Sequence, residues 1–351
     1  MKFIKCKELK DKNTDLKFGR NFTDYMFMMT YHDGEWDYRN ACIKPYEPFV
    51  LDPSTSVFHY GQAVFEGLKA YKNDKGEVRI FRSMDNMNRM LESCWRVCIP
   101  AFDTEVVHNA LVELVKLEKD WIPTAEGTSL YIRPFIIATD PALGVHAAKN
   151  YILAIILSPV GAYYAHGFDP VSLYVEEHYK RACKGGTGHH KVAVNYAASI
   201  LASEEAAKRG YDQTLWLDAQ ENKYMEEVGS MNIFFVINGV VVTPALGGSI
   251  LPGITRRSTV ELLMSRGYKV EERKVSVDEV INASLDGSLT EIFGTGTAAV
   301  VSPVGKFGYK GRDYVVGDGN MGKITKYVYD ELTGIQTGKK PDEFGWVERL
   351  V

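Results

Sequence analysis

A chain of 351 residues, 45% hydrophobic and 25% charged, is long enough for two domains and apolar enough to bury a core in each. Its 41 basic and 45 acidic side chains leave a formal charge of -4, which gives no electrostatic case for nucleic acid or an acidic membrane surface and points to a small-molecule partner. Five cysteines, an odd number without CxxC spacing, fit reduced thiols better than a disulfide framework, and no metal site is assigned.

The lysine-rich start (Lys2, Lys5, Lys7, Lys10, Lys12) is followed by no apolar run of the kind a secretory signal carries, so a cytoplasmic enzyme is expected. Residues 1–158 read as an α+β domain. Strands are expected at 77–82, 129–138 and 151–157. A helix over 83–98 places Met87, Met90, Leu91, Cys94 and Cys98 on one stripe, which makes both cysteines core residues. A second helix over 104–121 repeats the pattern with Val107, Leu111, Leu114 and Val115. The most apolar stretch, 151–165, is interrupted by Ser158, Pro159 and Gly161 well short of the roughly 20 residues a membrane helix needs. Turn formers and aromatics near its end place an interdomain loop at 159–170, lying over a site.

The second domain is expected over 171–351. It opens with a strand at 171–177, then the glycine-dense loop Lys184-Gly185-Gly186-Thr187-Gly188-His189-His190-Lys191, then an alanine-rich helix over 195–209 stopped by Gly210. Strands follow at 214–217, 224–228 and 232–237, and Asn238-Gly239 signals a hairpin into Val240-Val241-Val242. Helices are expected over 255–266, over 278–286 behind a Ser276…Glu279 capping box, and from 323 to 332.

The lysine loop carries the chemistry. A lysine amine, whose ordinary pKa is about 10.4, must lose its proton to attack a carbonyl, and a carbonyl joined to lysine is a Schiff base. Pyridoxal 5'-phosphate is the commonest cofactor that needs one, and it also requires an anion site, a carboxylate for its ring nitrogen and a hydroxyl for its ring oxygen. Gly253-Ile254-Thr255 before a helix offers free N–H groups to phosphate, and Gly294-Thr295-Gly296-Thr297 at a strand end offers a second set. In the pair Glu226-Glu227, strand alternation turns one carboxylate inward, and Glu227 is the candidate. A competing nucleotide reading rests on Gly317-Asp318-Gly319-Asn320-Met321-Gly322-Lys323-Ile324, which lacks the hydroxyl a P-loop places after its lysine. Adjacent His189 and His190 do not make a metal site by themselves.

Over nearly its full length the chain resembles the branched-chain amino acid aminotransferases of the fold-type IV pyridoxal-phosphate family. The resemblance runs through Phe18-Gly19-Arg20-Asn21-Phe22-Thr23-Asp24, Phe58-His59-Tyr60-Gly61-Gln62-Ala63-Val64-Phe65-Glu66-Gly67, Met87-Asn88-Arg89-Met90, Tyr131-Ile132-Arg133-Pro134, Leu143-Gly144-Val145, Asn195-Tyr196, Glu227-Val228-Gly229, Leu251-Pro252-Gly253-Ile254-Thr255-Arg256 and Gly294-Thr295-Gly296-Thr297-Ala298. It implies a small α/β domain, a larger domain with a mixed barrel-like sheet, and reversible transfer of the amino group between L-leucine, L-isoleucine or L-valine and 2-oxoglutarate. Lys191 falls where the family has its Schiff-base lysine. Arg89, Ile254, Thr255 and Thr297 are implied at the phosphate, Tyr196 at the ring oxygen and Glu227 at the ring nitrogen.

For substrate, the resemblance implies aromatic walls at Phe18, Tyr60, Phe65 and Tyr131, contact at Ser230, backbone at Thr297 and Ala298 for the α-carboxylate, and Arg133 for the distal carboxylate of glutamate. Such a division suits a pocket that takes both side chains: burying leucine is worth roughly 1.5 to 3 kcal/mol, whereas glutamate needs a charge-assisted partner. Val145 resembles a residue inserted into a neighbouring subunit, which implies a homodimer. Ala299-Val300-Val301-Ser302 stands where some relatives carry a CxxC pair, so thiol switching is not expected there. The same fold also houses D-amino acid aminotransferases and aminodeoxychorismate lyases, and these remain the alternatives in chemistry.

Overall fold

The computed structural model describes residues 1–12, 15–161 and 169–350, so residues 162–168 of the expected interdomain loop lie outside it. The described chain falls into two compact units, one of 1–161 with 191–194 and 334–350, the other of 169–190 with 195–333. The second unit is therefore not the continuous stretch 171–351 that the linear reading expects. In the first unit Val347–Arg349 pairs antiparallel with Val78–Phe81, and Val64 bridges Val192, so both excursions are held by backbone hydrogen bonds.

The spine of the first unit is the antiparallel pair Ser129–Ala138 and Tyr151–Val160, in register from Ser129↔Val160 to Ala138↔Tyr151. The sheet continues outward through Tyr25–His32 and Cys42–Pro45 on one side and through Leu68–Lys72, Val78–Phe81 and Val347–Arg349 on the other. Tyr151–Val160 runs three residues past the expected end at Leu157. Its ladder with Tyr25–His32 stops at Ile155, so Pro159 lies beyond the regularly paired stretch on that side. The helices α1 (Ser56–Tyr60), α2 (Ser83–Arg96) and α3 (Thr104–Leu117) belong to this unit.

The stripe on α2 buries Met87, Met90 and Cys94, and α3 buries Val107, Leu111, Leu114 and Val115, all in one core with Phe27, Ile132 and Leu153 of the sheet. The Asp103 carboxylate caps α3 by accepting the N–H groups of Glu105 and Val106 at 3.0 and 3.1 Å. Cys98 corrects the expected stripe. It lies beyond the end of α2 with φ +56° and is exposed, whereas Cys94 is buried and its thiol is pushed well up by desolvation.

In the second unit six strands close into a ring in the order Met225–Val228, Gln213–Leu217, Val171–Glu176, Val300–Tyr309, Leu289–Gly296, Met231–Ile237 and back to Met225–Val228. Val171–Glu176 is parallel to both neighbours and the other pairings are antiparallel, so the barrel is mixed. Its core gathers Leu173, Leu215, Ile233, Phe235, Ile292 and Phe307. The Asn238-Gly239 hairpin forms with both residues at positive φ. A parallel neighbour requires a crossover, and the one from Val171–Glu176 to Gln213–Leu217 contains the lysine loop.

The helix expected over 195–209 is split into α4 (Val194–Ala197) and α5 (Ile200–Lys208). Ser199 breaks it by turning its hydroxyl onto the Tyr196 carbonyl at 2.8 Å, a local bond that competes with the helix. Beyond lie α6 (Ile254–Ser265), α7 (Val277–Asp286) and α8 (Lys323–Thr337). Ser276 caps α7 through the Glu279 N–H, as the capping box requires. Among the described residues no helix is long and apolar enough to cross a membrane.

Candidate active site

Alternation along Ser129–Ala138 puts Tyr131 and Arg133 on one face of the first unit's sheet. The Arg133 guanidinium lies over the Phe65 ring at 4.6 Å and the Tyr131 ring at 5.2 Å, and its Nη2 donates to the Tyr131 hydroxyl at 3.1 Å. Phe18 meets Tyr131 edge-on with centroids 4.8 Å apart. Arg133 Nε is buried with no hydrogen-bond partner, the state of a donor that a carboxylate would satisfy. Four of the expected substrate residues thus come together. Tyr60, the last residue of α1, and Val145 are exposed, and neither joins this stack among the described contacts.

Lys191 is fixed by its backbone. Its N–H donates to Ser93 Oγ of α2 at 2.9 Å, its carbonyl accepts the Phe65 N–H at 3.1 Å, and its Nζ stands 4.9 Å from the Phe65 ring centre. Glu66 is fully buried and receives Arg89 Nε and Nη2 at 2.8 Å each, with Asn86 Nδ2 at 2.7 Å. Burial opposes ionisation of Glu66, but Arg89, then the positive charge of Lys191, outweigh it and hold the carboxyl below its usual range. Arg89, implied at a phosphate, is therefore oriented here by a bidentate carboxylate. Lys69 sits opposite Tyr131 in the ladder, and burial lowers its amine to about 8. Neither Glu66 nor Lys69 was singled out by sequence reasoning, although Glu66 lies within a matching block.

In the second unit Tyr196, Glu227 and Ser230 line one pocket with Arg181, His190, Asn195, Ser199, Gly229 and Leu251, and it opens in part to solvent. Asn195 braces the lysine loop: its Nδ2 donates to the carbonyls of Thr187 and His190 at 2.9 Å each, and its Oδ1 accepts Thr187 Oγ1 at 2.6 Å. Of the paired acids Glu227 is the buried one, as alternation requires, and it forms an ion pair with Arg181. Glu226 is half-buried, accepts Ser249 Oγ at 2.5 Å, and is raised by desolvation. Arg181 carried no sequence signal, because nothing in its neighbourhood marks a functional turn.

The twelve-residue helix α6 begins at Gly253 without a side-chain cap, and Ile254 and Thr255 are buried in its first turn. Its leading N–H groups and dipole suit a phosphate. The second expected set of free N–H groups is corrected. Gly294, Thr295 and Gly296 lie inside the ladder, opposite Ser302, Val301 and Val300, and the turn holds only Thr297, Ala298 and Ala299. Thr295 Oγ1 is buried with no hydrogen-bond partner. These features of the second unit fit pyridoxal phosphate: a phenol and a carboxylate at one pocket, an uncapped helix start and an orphaned hydroxyl.

The nucleotide reading fails on geometry. The Glu291 carboxylate occupies the N-terminus of α8, accepting the N–H of Ile324 at 3.0 Å, the N–H of Thr325 at 2.8 Å and Thr325 Oγ1 at 2.7 Å. A protein carboxylate stands where a nucleotide phosphate would have to bind.

The chain matches the amino-transferase class IV family model over residues 63–307. It is 56% identical to branched-chain-amino-acid transaminase 1 of Bacillus subtilis over 98% of this chain and 97% of that one. Among solved structures it is similar to the Escherichia coli branched-chain amino acid aminotransferase, with TM-score 0.75 and 27% identity over 93% of this chain and 99% of that one. It is also similar to the T.th. branched-chain amino acid aminotransferase with pyridoxamine 5'-phosphate, with TM-score 0.74 and 27% identity over 92% of this chain and 98% of that one.

Proposed function

Because the chain belongs to the class IV aminotransferases, and within them to the branched-chain amino acid aminotransferases, we propose that Lys191 is the nitrogen through which it holds pyridoxal 5'-phosphate. The observation that carries this reading is the pocket at which Tyr196 and Glu227 meet, since a phenol and a buried carboxylate match the ring oxygen and ring nitrogen of that cofactor. The pyridoxamine phosphate bound by the T.th. relative supports it. The phosphate would rest on the N–H groups of Ile254 and Thr255, with Arg89 and Thr297. When bound, the cofactor supplies a reactive carbonyl carbon and an electron sink.

The chain's own residues do the rest. Lys191 Nζ would hold the cofactor and, when free of it, would carry the proton that leaves the substrate Cα. Tyr196 would hold the ring oxygen, and Glu227 would accept a hydrogen bond from the ring nitrogen. Phe18, Tyr60, Phe65 and Tyr131 exclude water from the branched side chain of L-leucine, L-isoleucine or L-valine. Ser230 and the backbone at Thr297 and Ala298 hold the α-carboxylate end, and Arg133 Nε meets the distal carboxylate of glutamate or 2-oxoglutarate. Val145, exposed on its loop, enters the pocket of a second copy, which makes the working enzyme a cytoplasmic homodimer.

Borohydride reduction of the yellow protein, followed by peptide mapping, tests the attachment. A reduced pyridoxyl group on Lys191 is expected, and its absence or its presence on another lysine refutes the assignment. A coupled assay with 2-oxoglutarate is expected to give turnover with leucine, isoleucine and valine and little with D-alanine.

A further inference from the structure

Arg181 follows the strand Val171–Glu176 and has a side chain only 12% exposed, beside a Glu227 side chain 4% exposed. Its Nη2 pairs with Glu227 Oε2 and also donates to the carbonyls of Gly188 at 3.0 Å and Ser249 at 3.2 Å. One guanidinium thus ties together the lysine loop, the loop before α6 and the carboxylate in the pocket. The other carboxylate oxygen, Glu227 Oε1, accepts Asn232 Nδ2 at 3.1 Å and the Leu251 N–H at 3.2 Å. Asn232 is held in turn by donating to the Leu251 carbonyl at 2.9 Å and by standing opposite Glu227 in the ladder.

A carboxylate this deeply buried is driven toward its neutral form unless a cation compensates it, and a neutral carboxyl cannot favour a protonated ring nitrogen. Asn232 and the Leu251 N–H are uncharged donors. Arg181 brings a positive charge into contact with this carboxylate. We propose that Arg181 is a positioning residue that keeps Glu227 ionised and aimed, and so makes recognition of the cofactor's ring nitrogen depend on a side chain that need not touch the cofactor. This rests on the reading above that Glu227 faces the ring nitrogen.

The test compares how tightly the apoenzyme binds pyridoxal 5'-phosphate and its 1-deaza analogue, in which carbon replaces the ring nitrogen. The wild type is expected to prefer the natural cofactor by at least about tenfold, the ratio one charge-assisted hydrogen bond supplies. Glu227→Gln and Arg181→Met should each reduce the preference to within about twofold, and Arg181→Lys should restore most of it. If Arg181→Met fails to fold, Arg181→Gln, which retains donors for the two carbonyls without the charge, takes its place with the same expected result. An arginine variant that binds both cofactors more weakly but keeps the wild-type preference shows a merely structural role and overturns the proposal. If Glu227→Gln also keeps the preference, or Lys191 takes up no cofactor at all, the underlying reading fails instead.

Discussion

At Glu227 three neighbours decide what one side chain does: Arg181 supplies charge, Asn232 supplies an amide and Leu251 supplies a backbone N–H. Glu227→Gln keeps the shape and removes the charge. Single-turnover absorbance should then show abstraction of the substrate Cα proton slowed roughly tenfold to a hundredfold, the range of one charge-assisted hydrogen bond, a larger factor than the weakening of cofactor binding. Lys191→Ala is expected to abolish turnover with leucine while circular dichroism and thermal melting remain those of a folded protein, because the backbone bonds to Ser93 and Phe65 do not use the amine. Residual activity above a few per cent of wild type would contradict both its roles. Residues of this kind were legible in the sequence because glycine spacing and strand alternation mark them. Arg181, Glu66 and Lys69 were not, since their importance lies in partners far along the chain that no local pattern encodes, as in Arg89 to Glu66 or Lys69 to Tyr131.

At the scale of elements, periodicity recovered α2, α3, α6, α7 and the spine strands, and it failed where side chains override the backbone. Ser199 divides one expected helix, and ladder pairing extends Leu289–Gly296 through glycines that read as a turn. The end of α3 carries a testable consequence. Glu118 follows that helix, accepts the Tyr25 N–H at 2.5 Å and is raised by burial to about 7 from an ordinary 4.5. Because the folded state holds this proton more tightly than the unfolded chain, the associated stability is complete below about pH 4.5 and is lost as pH rises through about 7. Glu118→Gln cannot ionise. Its melting temperature should gain on the wild type by a few degrees between pH 5 and pH 8, and parallel curves would show that Glu118 does not titrate there.

For the whole molecule, the exposed Leu143 and Val145 are apolar side chains that a monomer gains nothing by displaying. On the proposed homodimer, Val145→Asp should shift the protein toward monomer in analytical ultracentrifugation and raise KM for leucine. An unchanged dimer would remove Val145 from the interface. Length and composition led to two domains but could not show how the chain is shared between them, because that division depends on pairings between distant segments such as Val78–Phe81 and Val347–Arg349.

That last pairing has a bearing on how the protein is made. A ribosome delivers the residues of Val78–Phe81 well before those of Val347–Arg349, so the sheet's outer ladder stays incomplete while everything between them is made. The barrel strands, from Val171–Glu176 to Val300–Tyr309, emerge before that, and can close while their elder neighbour is still waiting for its final strand. During translation the nascent chain therefore carries an exposed sheet margin, and the cell's holding chaperones would meet it there.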